Sequence, residues 1–461
     1  MKTCWIPAFA GMTDENKSKH DPCRARLNFT ADPESLISVT LPVPIDTLIF
    51  DASACGFPKP RIPLLPTGLA CLSPKAPAPW SPAENFRHFT RGRYALREAY
   101  RLTGIGPGTR LLAPAYHCRT MLDPALALGS AALLYPLRRD LSPDLAALDD
   151  LAERSPKPLK VLLATHFFGV PQQLDRLSAW CAEREIVLIE DCCHTMFSQI
   201  HRPPGLGLFG EFVVSSPYKF LPVPDGGLIH ARHAHRLDEM QTRSPSWVAE
   251  LYGLASAWSM AVEHRHSSAA CDATLIHAQL ATIVKNPALA ARDFQEQAGW
   301  SADYRPDEEG RAPLRYSQAL CRHADIAEIA RRRRDNYHRW IEATTNLPHC
   351  RPLFPELPEG CIPYMFPLYI DEPEPQFQWL KRLGMPIWRW DSIVASDCPT
   401  ANDYRFHLLH LPCHQSLEER QLRWMIAVIR KVGGGETAAV PTQQPFADND
   451  RRWHTMPAPD K

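Results

Sequence analysis

Two short, unbroken apolar runs, each ending in polar residues and joined by an amphipathic stretch, do most to limit the fold. Val161 to Ala164 leads into Thr165-His166, Gly169 opens a turn, VPQQLDRLSAWCAERE reads as an amphipathic helix, and Ile186 to Ile189 ends in Glu190-Asp191. Four consecutive apolar residues without alternation are what a parallel strand covered on both faces requires. Strand, helix and strand in this order predict an open α/β sheet. Ligands of such sheets bind beyond the carboxyl ends of the strands, so His166, Asp191, His194, Ser216 and Lys219 are expected to line one crevice.

Lys219 lies in SSPYKFLPVPDGG, where Ser215 and Ser216 precede it and Asp225-Gly226-Gly227 follows. A lysine held just past a strand end, among hydroxyls and backbone N–H groups, can form a Schiff base with an aldehyde whose phosphate arm docks nearby. Pyridoxal phosphate (PLP) has both parts, and it needs a carboxylate at its pyridine nitrogen to keep that nitrogen protonated. Asp191, at a neighbouring strand end, can supply it. The same residues also have plainer readings, a solvated turn for the lysine loop and a helix N-cap for Asp191, and the cap is compatible with the cofactor role.

A seat for the phosphate is expected upstream, where Gly92 opens a helix carrying Tyr94, Leu96, Ala99 and Tyr100 that Gly104 and Gly106-Pro107-Gly108 stop. Free N–H groups and a partial positive charge at a helix N-terminus suit a phosphate. The strand Leu111 to Ala113 then ends in Pro114-Ala115-Tyr116-His117-Cys118, which can bring a ring over the cofactor face.

In this order the motifs resemble those of the DegT/DnrJ/StrS sugar aminotransferases, a family of fold type I PLP enzymes. RGRYAL is similar to the family's Ser-Gly-Thr phosphate turn, THFFG to its His-Leu-Phe-Gly segment and EDCCH to its Glu-Asp-Ala-Ala-Gln/His motif. SSPYKFLPVPDGG resembles its lysine loop, and LLHLPCHQSLEE its C-terminal Leu-Pro-x-His block; together these span about residues 85–430. The resemblance implies an α/β fold with a mixed, mostly parallel seven-stranded sheet in a large domain, a smaller C-terminal α+β domain, and a homodimer. It implies Lys219 as the covalent cofactor lysine and proton carrier, Asp191 at the pyridine nitrogen and His194 beside the ring. Gly92, Arg93 and Ser216 would hold the phosphate, and Tyr116 or His117 would cover the ring. The implied reaction transfers an amino group from an amino acid, glutamate in the family, to a nucleotide-linked keto sugar for polysaccharide or secondary-metabolite synthesis. The chain departs from the family at Val214, where a serine is usual, at Cys118, where a stacking aromatic is usual, and over Ser244 to Pro306, where no match to the family's intersubunit asparagine is found. Two rivals remain: a PLP enzyme of another type, such as a sugar dehydratase, and a non-catalytic relative of the fold. The family's dehydratases carry histidine in place of the lysine, so Lys219 speaks against the first.

Composition bounds the partners. Of 461 residues, 51 are Lys or Arg and 51 are Asp or Glu, a balance that offers no general attraction to nucleic acid or anionic lipid, and no apolar run has the length of a membrane span. Fourteen cysteines without any Cys-x-x-Cys point to free thiols in a reducing cytoplasm rather than disulfides. Convergence of Cys118, Cys193, His194, Cys413 and His414 on zinc has no ligand spacing behind it, and no metal is expected.

Along the chain, residues 1–80 are expected to be a Pro-rich extension, partly disordered, with one or two strands in LISVTLPVPIDTLIF. MKTCWIPAFAGMT lacks the long apolar segment of a signal peptide and looks like a translated intergenic repeat, so the expected start lies downstream. Residues 81–335 are expected to form the large cofactor domain, 336–435 the small domain and 436–461 a disordered tail. Arg331 to Arg334 reads as the exposed face of a long helix. The small domain should hold a strand at Met365 to Ile370 and helices at Gln376 to Leu383 and Leu417 to Val432. Trp388-Arg389-Trp390-Asp391 could bind a phosphate or sugar face, or its indoles could pack the domain junction.

Overall fold

The computed structural model describes residues 49–50, 57–67, 71, 86–198, 209–267, 271–285, 294–295 and 299–434. The expected extension up to residue 80 lies mostly, and the expected tail from 436 wholly, outside the described residues. In chain order the first elements are β1 (Ile49–Phe50), β2 (Phe86–Phe89), α1 (Gly92–Leu102), β3 (Arg110–Pro114), α2 (Asp123–Ala127), β4 (Ala131–Tyr135), α3 (Leu145–Arg154), β5 (Leu159–Thr165), α4 (Asp175–Glu183), β6 (Val187–Asp191), β7 (Phe212–Ser215) and β8 (Gly227–Ala231). They are followed by α5 (Trp247–Ser267), α6 (Ile276–Lys285), β9 (Phe294–Gln295), α7 (Arg315–Arg322), α8 (Ile326–Thr344), β10 (Cys350–Pro352), β11 (Met365–Ile370), α9 (Pro373–Arg382), α10 (Pro399–His407), β12 (Leu408–Pro412) and α11 (Glu419–Gly433).

The continuous apolar runs become central strands, as expected. A seven-stranded sheet has the order β2-β8-β7-β6-β5-β3-β4, with β8 antiparallel to both neighbours and the pairings from β7 to β4 parallel. Residues 161–165 of β5 and all four residues of β7 are buried, consistent with helices covering both faces. A second, three-stranded antiparallel sheet is ordered β10-β11-β12, and β1 pairs with β9 in a two-stranded one. Residues just past β3, β5, β6 and β7 meet the three-stranded sheet or its flank: Tyr116 and Phe168 contact His410, and His194 and Lys219 contact Tyr364.

Two glycines permit close approaches of the backbone. Gly169 has φ +105°, and a Cβ there would lie 2.5 Å from the Ile362 oxygen and the Pro363 Cα. Phe168 oxygen accepts from Tyr364 N at 2.9 Å, and Ser198 Oγ accepts from Ile362 N and donates to Gly169 oxygen, each at 2.9 Å. Gly227, at the start of β8, lies so close to the Arg91 carbonyl that a side chain there would overlap it.

The basic run on α8 departs from expectation. Side chains of Arg331 and Arg332 are exposed by 59% and 40%, but Arg333 is fully buried. At 100° per residue, four consecutive positions cannot share one helix face, and Arg333 falls in line with the buried Ile329, Tyr337 and Trp340.

Candidate active site

The lysine loop leaves β7 as one short turn, Pro217–Lys219, in which the Lys219 N–H donates to Ser216 oxygen at 3.1 Å. Lys219 is half-buried, and its Nζ lies 5.4 Å from the ring centroid of Tyr364. Burial works against its ammonium, whereas Cys193, Tyr218 and Asp191 favour it when ionised; the balance lies above the ordinary lysine value. Of these neighbours Asp191 is the anion at neutral pH, since burial pushes the Cys193 thiol well up.

Asp191 ends the adjacent strand, β6, and is 3% exposed. Its Oδ1 accepts from Cys193 N at 2.9 Å and its Oδ2 lies 3.2 Å from His117 Nε2. Burial alone would raise its pKa, but the His117 contact and the Lys219 charge hold the carboxyl well below the usual range. The expected crevice therefore brings a lysine, an ionised aspartate and His117 together, and His117 reaches the carboxylate rather than lying open as a ring platform. Its Nδ1 is 2.9 Å from Cys118 oxygen. His194 accepts a 3.4 Å bond from Phe168 N at Nδ1, which puts its proton on Nε2, and its ring stacks on Tyr364 at 4.4 Å. Burial and the Lys219 charge hold His194 neutral, well below the ordinary histidine value.

Two of the residues expected at the phosphate seat lie together. Gly92 opens α1, and a Cβ there would be 2.5 Å from Ser216 Oγ and 3.2 Å from Cys193 Sγ, so Gly92 and Ser216 do meet. Ser216 Oγ donates to Cys193 Sγ at 3.0 Å. The Arg93 side chain is turned away: its Nη1 donates to Asp303 oxygen, leaving only its backbone N–H, in the first turn of α1, for the seat. Just before Gly92, Thr90 Oγ1 and Arg91 Nη1 are buried without a hydrogen-bond partner.

His166 does not join the group. It accepts from Gln172 N at Nδ1 (2.8 Å) and donates from Nε2 to Glu190 Oε2 (3.1 Å), while Glu190 Oε1 accepts from Phe209 N and Gly210 N at 2.7 and 2.6 Å. Glu190 and Asp191 are consecutive on a strand and must point to opposite faces, which separates the two pairs. His166, Glu190 and Cys192 form the one cluster of metal-type ligands among the described residues, but the histidine and carboxylate there already satisfy each other and the backbone. The cysteine set considered for zinc does not gather; His414 Nε2 instead lies 3.0 Å from Pro63 oxygen.

Residues of the second sheet and its flanks also reach the site. Trp390 packs against Tyr116 at 4.9 Å, His410 at 5.1 Å, His194 at 5.9 Å and, stacked, His117 at 6.1 Å. His410 Nε2 pairs with the Tyr116 hydroxyl at 3.0 Å, and burial with the Lys219 charge takes its pKa down to about 3. Tyr116 is thereby engaged by the second sheet. Arg389 is no free cation: it is 2% exposed, bonds Asp391 Oδ2 at 2.8 Å and lies 3.6 Å over the Phe377 ring. Of the Trp388–Asp391 cluster, the indole of Trp390 is what meets the site residues.

Comparison with known proteins gives the following likenesses. Residues 88–264 match the model of the DegT/DnrJ/EryC1/StrS aminotransferase family. A dTDP-4-dehydro-2,3,6-trideoxy-D-glucose 4-aminotransferase of Saccharopolyspora spinosa is 27% identical over 151 residues, 32% of this chain and 38% of that protein. A 3-amino-5-hydroxybenzoate synthase of Amycolatopsis mediterranei (strain S699) is 28% identical over 105 residues, 23% of this chain and 26% of that protein. The alignments thus span well under half the length of these two curated relatives. The crystal structure of the aminotransferase TlmJ from Streptoalloteichus hindustanus superposes with a TM-score of 0.53 at 19% identity, over 76% of this chain and 86% of that one, and shows the shared fold. By its matched segment and its fold, this chain is similar to the DegT/DnrJ/EryC1/StrS aminotransferases.

Proposed function

We propose that this protein is a PLP-dependent aminotransferase that moves an amino group from glutamate to a keto sugar, nucleotide-linked, in polysaccharide or secondary-metabolite synthesis. The observation that carries the reading is the meeting of Lys219 and the ionised Asp191 at the carboxyl ends of adjacent strands, β7 and β6. The residues fit the cofactor: Arg91 Nη1 and Thr90 Oγ1 are orphaned buried groups beside an α1 N-terminus that has no side-chain cap, as an anion seat needs. When bound, PLP supplies the electron sink for loss of the substrate's alpha proton. Lys219 would hold it covalently, Asp191 would face its pyridine nitrogen, His194 would present Nε2–H to the ring, and Gly92, Ser216 and the first N–H groups of α1 would face the phosphate.

The chain's own groups then do the following. Asp191 keeps a negative charge in a buried place, which favours a proton on any base set against it. Lys219 Nζ, once its lone pair is free, accepts the alpha proton and returns it on the acceptor side. Tyr364, beneath Nζ, limits the directions that amine can take. Trp390, Phe168 and Tyr116 exclude water from the imidazoles they cover.

The sugar reading of the acceptor is supported by the relatives. The aromatic wall also favours a second acceptor class, a planar carbocycle, as the name of the Amycolatopsis relative suggests. The partner reading is a homodimer in the cytoplasm. It is supported by α5, where Trp247, Tyr252 and Trp258 are 74%, 72% and 75% exposed, and by eleven described cysteines that form no disulfide. No described helix is long and apolar enough to cross a membrane. To test the reaction, PLP-loaded protein is mixed with glutamate and its visible absorbance followed. The absorbance should fall, then recover with nucleotide-linked keto sugars far faster than with pyruvate or oxaloacetate. Recovery with small 2-oxo acids alone would refute the sugar acceptor, and no response to glutamate would refute amino transfer.

A further inference from the structure

Arg91 enters the function above only as a buried donor without a partner, with no role assigned to its side chain. It occupies the position before α1 with extended backbone, φ −146° and ψ 156°, and its side chain does not cap the helix. The backbone there is fixed: Gly226 N donates to Thr90 oxygen at 2.7 Å, and Thr90 N donates to Arg311 oxygen at 3.0 Å. From this anchored start the guanidinium lies 4.7 Å from the ring centroid of Tyr218, the residue next to Lys219, with Nη1 buried and without a hydrogen-bond partner. Asp225, whose carboxyl is held above its usual value by burial, accepts from Ser317 Oγ and Leu314 N at 2.6 and 2.9 Å. An orphaned guanidinium donor beside Tyr218 of the lysine loop adjoins an uncapped helix start. That is a donor set for a tetrahedral dianion, which a guanidinium fork engages with two parallel bonds.

We propose that Arg91, and not Arg93, is the side chain that binds the cofactor's phosphate, standing in for the serine that the chain lacks at Val214. This rests on the cofactor reading above. The Arg93 guanidinium is engaged by Asp303 oxygen on the other side of the turn, one residue beyond Gly92 and so rotated about the helix axis.

The test compares two probes, PLP and pyridoxal, which lacks the phosphate, titrated into the cofactor-free protein with tryptophan fluorescence as the readout. Wild type should prefer PLP. Arg91→Ala should weaken PLP binding by about tenfold to a hundredfold and leave pyridoxal binding nearly unchanged, collapsing the preference. Arg91→Lys keeps the charge without the fork and should fall between, which preserves the test if the alanine variant folds poorly. Inorganic phosphate should compete with PLP in wild type and less so in Arg91→Ala. If wild type binds PLP tightly and Arg91→Ala keeps its preference, or if Arg93→Ala is the variant that loses it, the Arg91 assignment is overturned while the cofactor reading stands. If wild type binds neither probe, both fail together.

Discussion

Replacing Arg333 with methionine should destabilise the protein more than any change to its three arginine neighbours. Arg333 Nε donates to Gln415 Oε1 at 2.8 Å, Nη1 to the oxygens of Pro363 and Tyr364 at 3.0 and 3.1 Å, and Nη2 to those of Lys219 and Phe220 at 3.3 and 3.5 Å. Burial brings its pKa down to about 10, so it remains a cation at neutral pH, held by carbonyl oxygens and by the Phe220 ring at 4.6 Å. Each bond from a charged donor is worth about 1.5–3 kcal/mol net, but the desolvated guanidinium offsets part of that, and the bonds are not additive. Methionine leaves the carbonyls without their donor, so a loss of about 3–5 kcal/mol is expected. For a chain of this size that lowers the melting temperature by roughly 5 °C. Differential scanning fluorimetry of Arg333→Met, Arg333→Lys and Arg332→Met should rank them in that order of damage, since Arg332 pairs with Glu328 on an exposed face. Because Arg333 holds the carbonyls of Lys219 and Phe220, cofactor retention should fall as well. An Arg333→Met protein that melts no lower than Arg332→Met would refute the reasoning.

Acid should weaken the fold through its buried imidazoles. His410 titrates in the folded state at about 3 and in the unfolded chain near 6.5, so the unfolded chain alone takes up the proton between those values. Stability is then flat above pH 6.5 and falls as the pH drops toward 3, by about 1.4 kcal/mol per unit for this residue. Urea unfolding from pH 7 to 4 should show a shallower decline for His410→Gln, and an unchanged slope would count against a neutral His410. Gly92→Ala puts a Cβ 2.5 Å from Ser216 Oγ, which should cost about 1–3 kcal/mol of overpacking and weaken PLP binding; normal PLP affinity in this variant would contradict the placement of the seat. On α5, Trp258→Glu with Trp247→Glu should convert a dimer to a monomer by light scattering at micromolar concentration, and a wild-type monomer, or a double variant that stays dimeric, would remove α5 as the interface.

How much of this was readable in advance follows from the range of the interactions. Val161 to Ala164 and Ile186 to Ile189 announced β5 and β6 because a strand buried on both faces has one local signature, and Asp191 and Lys219 followed from their places at strand ends. MFPLYI, read as a strand from its alternation, coincides with β11. Tyr364, Trp390 and His410 come from the second sheet and its flanks, far along the chain, and no local pattern distinguishes a ring that crosses to the site from one that packs its own core. Arg389 looked available because its neutralising acid, Asp391, points the same way only on a strand-like backbone. Arg91 and Arg93 flank one glycine; composition cannot choose between them, whereas the turn of α1 sends one to Asp303 and the other toward Tyr218.

The central claim is that Lys219 is the cofactor's attachment point. Protein loaded with PLP is treated with borohydride, digested and mapped by mass spectrometry, alongside Lys219→Ala. The account predicts the pyridoxyl mass on the peptide containing Lys219 and none on the variant at stoichiometric loading; a stoichiometric label on any other lysine, or none in wild type, would contradict it.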